Sequence, residues 1–129
     1  MCGMSFPAGD PALDERIIRE LKDLWRGTET DQFSWVVETF TVESATRIDQ
    51  IVAAAHGGDH EDMRRVAHSL KGSAFTVGAL RLGEACDQIE NWSSRGGEPD
   101  GEVLERLLDG LRTEFRRAAE ALAKLRDSA

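Results

Sequence analysis

The sequence predicts an all-α protein, an antiparallel four-helix bundle with an additional N-terminal helix. Apolar residues recur at helical spacing in five segments, and no segment shows the alternation expected of a β-strand. Hydrophobic residues make up 40% of the chain and aromatic residues only 6%, which suits packing between helices better than packing in sheets. Short polar loops between the segments favour antiparallel neighbours. With 129 residues, the chain is long enough for one core and too short for two.

The beginning of the chain is predicted to hold a flexible lead-in and one short helix. Residues 1–11 are rich in Gly and Pro, so we expect the helical domain to cover residues 12–127. The first helix is predicted to end near Gly27 and to cover one end or one face of the bundle. Its apolar residues are Leu13, Ile17, Leu21 and Leu24.

A second, longer helix is predicted to follow a cap formed by Thr30 or Asp31. Trp35 and Val42 fall outside its apolar stripe, and we expect them to contact the first helix. A contact between two copies of the chain is the alternative for these two residues. The stripe itself comprises Phe33, Val37, Phe40, Ile48, Ile51 and Ala55.

The remaining helices are separated by glycine-containing loops. Gly57 and Gly58 are predicted to end the second helix, Asp59 to cap the third, and Gly78 to separate the third from the fourth. The third helix carries the stripe Met63, Ala67, Leu70, Ala74 and Val77, and the fourth carries Leu82, Cys86 and Ile89. The fifth carries Leu104, Leu108, Leu111, Phe115, Ala118, Leu122 and Leu125.

Charge and cysteine content exclude several classes of protein. The formal net charge of -8 argues against nucleic-acid binding, which recruits clustered Lys and Arg. Cys2 and Cys86 have no metal-ligand spacing and form no disulfide framework, and Cys86 is predicted to be a small core residue. No apolar run is long enough to insert in a membrane, and no signal segment opens the chain. We therefore expect a cytoplasmic protein.

One face of the third helix carries side chains that could take part in a chemical reaction. At about 100° per residue, His68 lies about 140° from the core stripe and is predicted to be exposed. Lys71 and Gly72 follow it at i+3 and i+4, the adjacent positions on a helix surface. Arg64 precedes His68 by one turn, and Phe75 lies beyond Lys71 on the same outward side. An imidazole, two cations, a glycine and an aromatic ring are thus predicted to share one surface.

These residue types suit an imidazole that attacks phosphorus. A neutral imidazole offers a ring-nitrogen lone pair and can hold a phosphoryl group in a labile N–P bond. Lys71 and Arg64 can meet the charge on the phosphoryl oxygens. Gly72 costs about 1 kcal/mol relative to Ala within a helix, but it leaves room for a partner to approach the ring. Phe75 offers apolar area for docking.

The string AHSLKGSAFTVGA, residues 67–79, resembles the signature of histidine-containing phosphotransfer (HPt) domains. The likeness extends along the helix pattern from about residue 13 to residue 126. The resemblance implies that His68 is the phosphoacceptor through Nε2, that Lys71 lies beside the phosphoryl group, and that Gly72 keeps the ring accessible. Ser73 matches a small position of the signature.

The resemblance also implies residues that orient the ring and bind partners. Glu90 corresponds to a Gln or Glu of the fourth helix that hydrogen-bonds the other imidazole nitrogen and fixes the tautomer. The residues expected to contact a partner are Arg64, Arg65, Ser69 and Phe75.

The function implied by the resemblance is that of a phosphocarrier in a two-component phosphorelay. His68 would accept a phosphoryl group from an aspartate of a receiver domain and pass it to the receiver of another response regulator. A hybrid sensor histidine kinase and response regulators are the implied partners, and the receiver would supply Mg²⁺, so no intrinsic cofactor is expected. The chain has no GxxxxGK[ST] loop or glycine-rich nucleotide lid, so we expect no kinase activity. We also expect a monomer.

Three alternatives stand beside this interpretation. A helical adaptor could bind receiver or kinase domains without transferring phosphate, or the chain could be a generic helical interaction protein. A metal site is the third alternative, because His56, Asp59, His60 and Glu61 cluster between the second and third helices. A helix stop and cap explain that cluster more simply.

Overall fold

The computed structural model describes residues 12–24, 32–95 and 101–127. These residues form five helices and no strand, which confirms the all-α prediction. The helices are α1 (Glu15–Leu24), α2 (Gln32–His56), α3 (His60–Thr76), α4 (Leu80–Ser94) and α5 (Gly101–Asp127). None of these helices combines the length and apolarity that crossing a membrane requires.

Helices α2 to α5 form the four-helix bundle. Each packs against two others, in the pairs α2–α3, α3–α4, α4–α5 and α2–α5, so the four surround one core. The predicted stripes of α3 and α4 are buried along their whole length, and Cys86 is a core residue as predicted. Leu104, Phe115 and Leu125 of α5 are only partly buried against this core. The largest fully buried apolar side chains are Ile51, Met63, Leu70, Leu82, Ile89, Leu108, Leu111 and Leu122.

The loops on either side of α3 use the predicted turn residues. Asp59 caps α3, since its side-chain Oδ1 accepts a hydrogen bond of 3.0 Å from the Asp62 amide. Gly58 and Gly78 adopt positive φ angles of 72° and 83°, a backbone conformation that favours glycine. α3 therefore begins and ends where the sequence places it.

Helix α1 lies against the turn between α3 and α4. The Asp14 amide donates a hydrogen bond of 2.6 Å to the Gly78 carbonyl, and a side chain at Gly78 would meet Ile17. The helix begins at Glu15, after Leu13, because Asp14 caps it by accepting from the Arg16 amide. α1 thus covers one end of the bundle, which is one of the two predicted placements.

The prediction that Trp35 and Val42 contact α1 is wrong. Both side chains are 66% exposed on α2, whereas the described contacts of α1 lie at the α3–α4 turn. The buried face of α2 also contains Ser44 and Ala54, and Ala55, which the sequence predicts in that face, is only partly buried.

Several sequence predictions fall outside the described residues. They concern the lead-in over residues 1–11, Cys2, the end of the first helix near Gly27, and the cap at Thr30 or Asp31. The division into a lead-in and a domain over residues 12–127 therefore stays a prediction.

Candidate functional site

His68 projects from the exposed face of α3. Its side chain is 65% exposed, whereas the flanking Ala67 and Leu70 are fully buried. The helical period explains the difference, because core positions three or four residues apart share one face and His68 lies off that face. The imidazole is therefore accessible to a second protein, while the helix beneath it is fixed in the core.

Glu90 of α4 holds one nitrogen of this imidazole. The distance from His68 Nδ1 to Glu90 Oε2 is 2.9 Å. Burial alone would raise the pKa of Glu90, but the contacts with Lys71 and His68 outweigh it and lower that pKa. An ionised carboxylate can only accept a hydrogen bond, so Nδ1 carries the proton and donates it. The lone pair is then on Nε2, the nitrogen available to a partner.

Lys71 lies between two carboxylates of α4. Its Nζ is 2.7 Å from Glu90 Oε1 and 3.2 Å from Asp87 Oδ1. These contacts, with Glu90 first and Asp87 second, raise the pKa of Lys71, so the ammonium stays charged. Glu90 therefore bridges the imidazole and the ammonium through its two oxygens, and the site contains one continuous chain of polar contacts.

Gly72 leaves the surface beside His68 open. A methyl group built on Gly72 would have no atom within 4 Å. Beyond it, a groove of about 480 Å³ runs between α2 and α3. Its walls include Ser69 and Ser73, and Trp35 stands at its edge on α2. The exposed imidazole is thus close to an open depression whose lining includes two aromatic side chains, Trp35 and Phe40.

Phe75 is only half exposed, because its ring packs on α4. The exposed fraction is 38%, and a Cβ on Gly83 would lie within 2.7 Å of three ring atoms. The outward direction predicted for Phe75 is thus correct only in part. Gly83 provides the space that lets the ring turn sideways against the neighbouring helix.

The predicted cations of α3 form ion pairs within their own helix. Arg64 contacts Glu61 at 2.5 Å, and Arg65 contacts Asp62 at 2.5 Å. Contact with Glu61 raises the pKa of Arg64. Exposed pairs of this kind are weak because solvent screens them, so either arginine can exchange its partner for a charged group on another protein.

Two residues of this region are not predicted from the sequence. Asp87 contacts Lys71, and Arg47 of α2 donates a hydrogen bond of 3.1 Å to Ser73 Oγ. Asp87 is three residues before Glu90, so the pairing of Glu90 with His68 would have placed Asp87 beside the next turn of α3. For Arg47, the sequence carries no comparable signal.

The alternative metal site is not assembled in the described residues. Across these ranges, no three His, Cys, Asp or Glu side chains are grouped so that they could hold a metal ion. Asp59 caps α3, and the His60 ring packs edge-on against Trp92 with 5.3 Å between ring centroids. These contacts give the cluster a structural explanation.

Cys86 lies in the core beneath the polar chain of contacts. Burial, opposed by the charge of Lys71, raises the pKa of its thiol to about 12. A thiol with this pKa stays protonated near neutral pH and is a poor nucleophile. Cys86 therefore contributes packing to the site.

Comparisons with known proteins agree with this geometry. The family model for the Hpt domain matches residues 36–127. Among solved structures, the chain is similar to histidine-containing phosphotransfer protein B (HptB) from Pseudomonas aeruginosa PAO1, with a TM-score of 0.81 and 26% identity. The match covers 94% of this chain and 99% of that one. No curated protein matches the sequence.

Proposed function

Because the chain belongs to the Hpt domain family, we propose that it is a phosphotransfer protein of a two-component phosphorelay that carries its phosphoryl group on His68. A receiver-domain aspartate donates the group, and the receiver of another response regulator takes it. One observation carries the proposal: an exposed imidazole whose Nδ1 is held 2.9 Å from a largely buried carboxylate. That arrangement presents a reactive Nε2 at the surface.

The proposed transfer requires no proton movement at His68. The Nε2 lone pair attacks the phosphorus of the aspartyl phosphate, and an N–P bond forms as the bond between phosphorus and the carboxylate oxygen breaks. The aspartate leaves with the electron pair as a free carboxylate. The ring keeps its Nδ1 proton and becomes formally cationic. Return of the group to a second aspartate reverses each of these changes.

The neighbouring residues support both directions of this exchange. Glu90 accepts from Nδ1, so it fixes the tautomer before transfer and stabilises the cationic ring after it. Lys71 can donate to the phosphoryl oxygens, since an ammonium has three N–H groups. Gly72 leaves the approach open, because no side chain stands beside the ring at i+4. The proposed transfer between aspartate and histidine involves no cleavage of ATP.

Receiver domains and kinases of phosphorelays are the partners of Hpt proteins. For this chain we propose docking over the surface formed by Arg64, Arg65, Ser69, Gly72 and Phe75, as a monomer in the cytoplasm, where receivers act. Members of this family carry phosphate and are not kinases; we propose the same here, with no intrinsic cofactor and with Mg²⁺ bound by the receiver.

Incubation with a phosphorylated receiver and Mg²⁺ tests the proposal. We expect the chain to acquire a label that is stable in base and lost in acid, as a phosphohistidine is. The His68→Gln variant is the control, because it keeps a polar side chain of similar size and removes the nucleophile. If the wild type gains no acid-labile label, or the variant gains as much, the proposal fails.

The same experiment addresses the adaptor alternative. A helical adaptor would bind the receiver without acquiring label, and its affinity would not depend on His68. Binding measured in parallel with labelling therefore distinguishes an adaptor, which binds only, from a carrier, which binds and is labelled.

A further inference from the structure

We propose that Asp87 is a positioning residue that competes with the phosphoryl group for the ammonium of Lys71. In the unphosphorylated protein, Asp87 of α4 holds the ammonium of Lys71 of α3. Asp87 must release this ammonium when His68 carries phosphate. Asp87 thereby limits how strongly His68 retains the group. This inference rests on the proposed function, since it assumes that His68 is phosphorylated.

The number of donors on Lys71 creates the competition. An ammonium has three N–H groups. Asp87 Oδ1 accepts a hydrogen bond of 3.2 Å from Nζ, and Glu90 Oε1 lies 2.7 Å from Nζ in an ion pair, so two carboxylates surround the ammonium. The oxygens of a phosphoryl group must therefore compete with both carboxylates for the ammonium. A closer approach to the phosphate requires Lys71 to leave one carboxylate.

Asp87 is the carboxylate that Lys71 can leave more easily. Its contact with Nζ is the longer one, and its side chain is 47% exposed, against 16% for Glu90. A released Asp87 is solvated by water and keeps its 3.3 Å hydrogen bond from Asn91 Nδ2. A released Glu90 would lose an ion pair in a largely buried position, where an unpaired charge costs more. Lys71 therefore exchanges Asp87 for the phosphate and keeps Glu90.

The charges of the site favour the same conclusion. Before transfer, Lys71 carries one positive charge and the two carboxylates carry two negative charges, with His68 neutral. Transfer adds two negative charges on the phosphoryl group, and the imidazole ring gains one positive charge. The site then bears two net negative charges, and Asp87 is the one carboxylate of the two that does not touch the ring. Neutralising Asp87 should therefore favour the phosphorylated state.

The Asp87→Asn variant tests this directly. It keeps an oxygen that can accept from Lys71 and removes the charge. The measurement is the ratio of phosphorylated His68 to phosphorylated receiver at equilibrium, with the same receiver throughout. From the weakness of partly exposed charge pairs, we expect the ratio to rise about fivefold, which corresponds to about 1 kcal/mol.

Two controls identify the route of the effect. Asp109→Asn removes a carboxylate that pairs with Arg112 at 3.4 Å on α5, and it should leave the ratio unchanged. In a Lys71→Ala background, Asp87→Asn should raise the ratio by less than it does in the wild type, because only the direct repulsion between Asp87 and the phosphoryl group remains there, and the double-mutant cycle isolates the contribution made through Lys71. NMR titration of Lys71 supplies a readout that needs no phosphate, and its pKa should fall in Asp87→Asn.

The outcomes separate this inference from the proposed function. If the wild type acquires no phosphate, both fail. If the wild type is labelled and Asp87→Asn gives the wild-type ratio or a lower one, the role of Asp87 is refuted while the proposed function stands. The role of Asp87 is equally refuted if the increase persists fully in the Lys71→Ala background, or if the pKa of Lys71 does not change.

Discussion

Replacing Gly83 with Ala tests how α4 determines the position of Phe75. The ring of Phe75 lies over Gly83, and a Cβ there would come within 2.7 Å of three ring atoms. No ordinary contact is this short, so either the ring or α4 must move. Because Phe75 is already 38% exposed, we expect the ring to swing toward solvent.

The magnitude follows from two opposing effects. Gly-to-Ala replacement within a helix stabilises a protein by about 1 kcal/mol. Gly110 of α5 has no atom within 4 Å of a built methyl group, so Gly110→Ala should show that gain. At Gly83 the same gain is opposed by overpacking, which costs about 1–3 kcal/mol. We therefore expect Gly83→Ala to be less stable than Gly110→Ala by about 1–3 kcal/mol.

Urea unfolding followed by far-UV circular dichroism measures this difference, provided that the slope with urea is the same in both variants. A second comparison uses the Phe75→Ala background, where the obstructing ring is absent. In that background Gly83→Ala should become stabilising, because only the helix propensity remains. If Gly83→Ala is as stabilising as Gly110→Ala in the wild-type background, Phe75 does not pack on Gly83 as described.

Three further predictions concern the site and its surroundings. Gly72→Gln should keep the fold, since no atom lies within 4 Å of a methyl group built on Gly72, but it should slow phosphoryl transfer. Wild-type rates of transfer from a phosphorylated receiver would contradict the role of Gly72 in access. The pKa of Glu90 is lowered from 4.5, so its contribution to stability is present above pH 4.5 and is lost as the pH falls through the lowered value. Urea unfolding at several pH values should show this loss in the wild type and not in Glu90→Gln. Trp35→Ala should change the unfolding free energy little, because the side chain is 66% exposed, yet weaken receiver binding measured by titration calorimetry; unchanged affinity would exclude the α2 edge from the interface.

The helical period predicts which way the residues of α3 point. A residue's direction on a helix depends on its position in the chain, and the stripe from Met63 to Val77 defines the buried side unambiguously. His68 is exposed and Gly72 is unobstructed for that reason. The helical period of α3 cannot show which residues of the neighbouring helices each side chain contacts. Phe75 points outward as predicted, but the gap at Gly83 lies on another helix and draws the ring sideways.

Contacts between helices are harder to predict. The off-stripe position of Trp35 and Val42 suggests a contact with α1, yet such a position is equally compatible with exposure. The contact of Asp87 with Lys71 depends on the register between α3 and α4, so Asp87 becomes predictable only once Glu90 has been paired with His68. That register is set by packing between two helices, which a single helical pattern does not contain. Only the family resemblance places Glu90 near His68.

NMR of the phosphorylated protein with ¹⁵N-labelled histidine tests the central claim most directly. The chain has three histidines, so each ring can be assigned separately. We expect one ring to gain a ¹⁵N–³¹P coupling at Nε2, while its Nδ1 remains protonated toward Glu90, and we expect the signal to disappear in His68→Gln. A coupling at Nδ1, a coupling on His56 or His60, or no coupling at all would contradict the assignment of His68 Nε2 as the phosphoryl carrier.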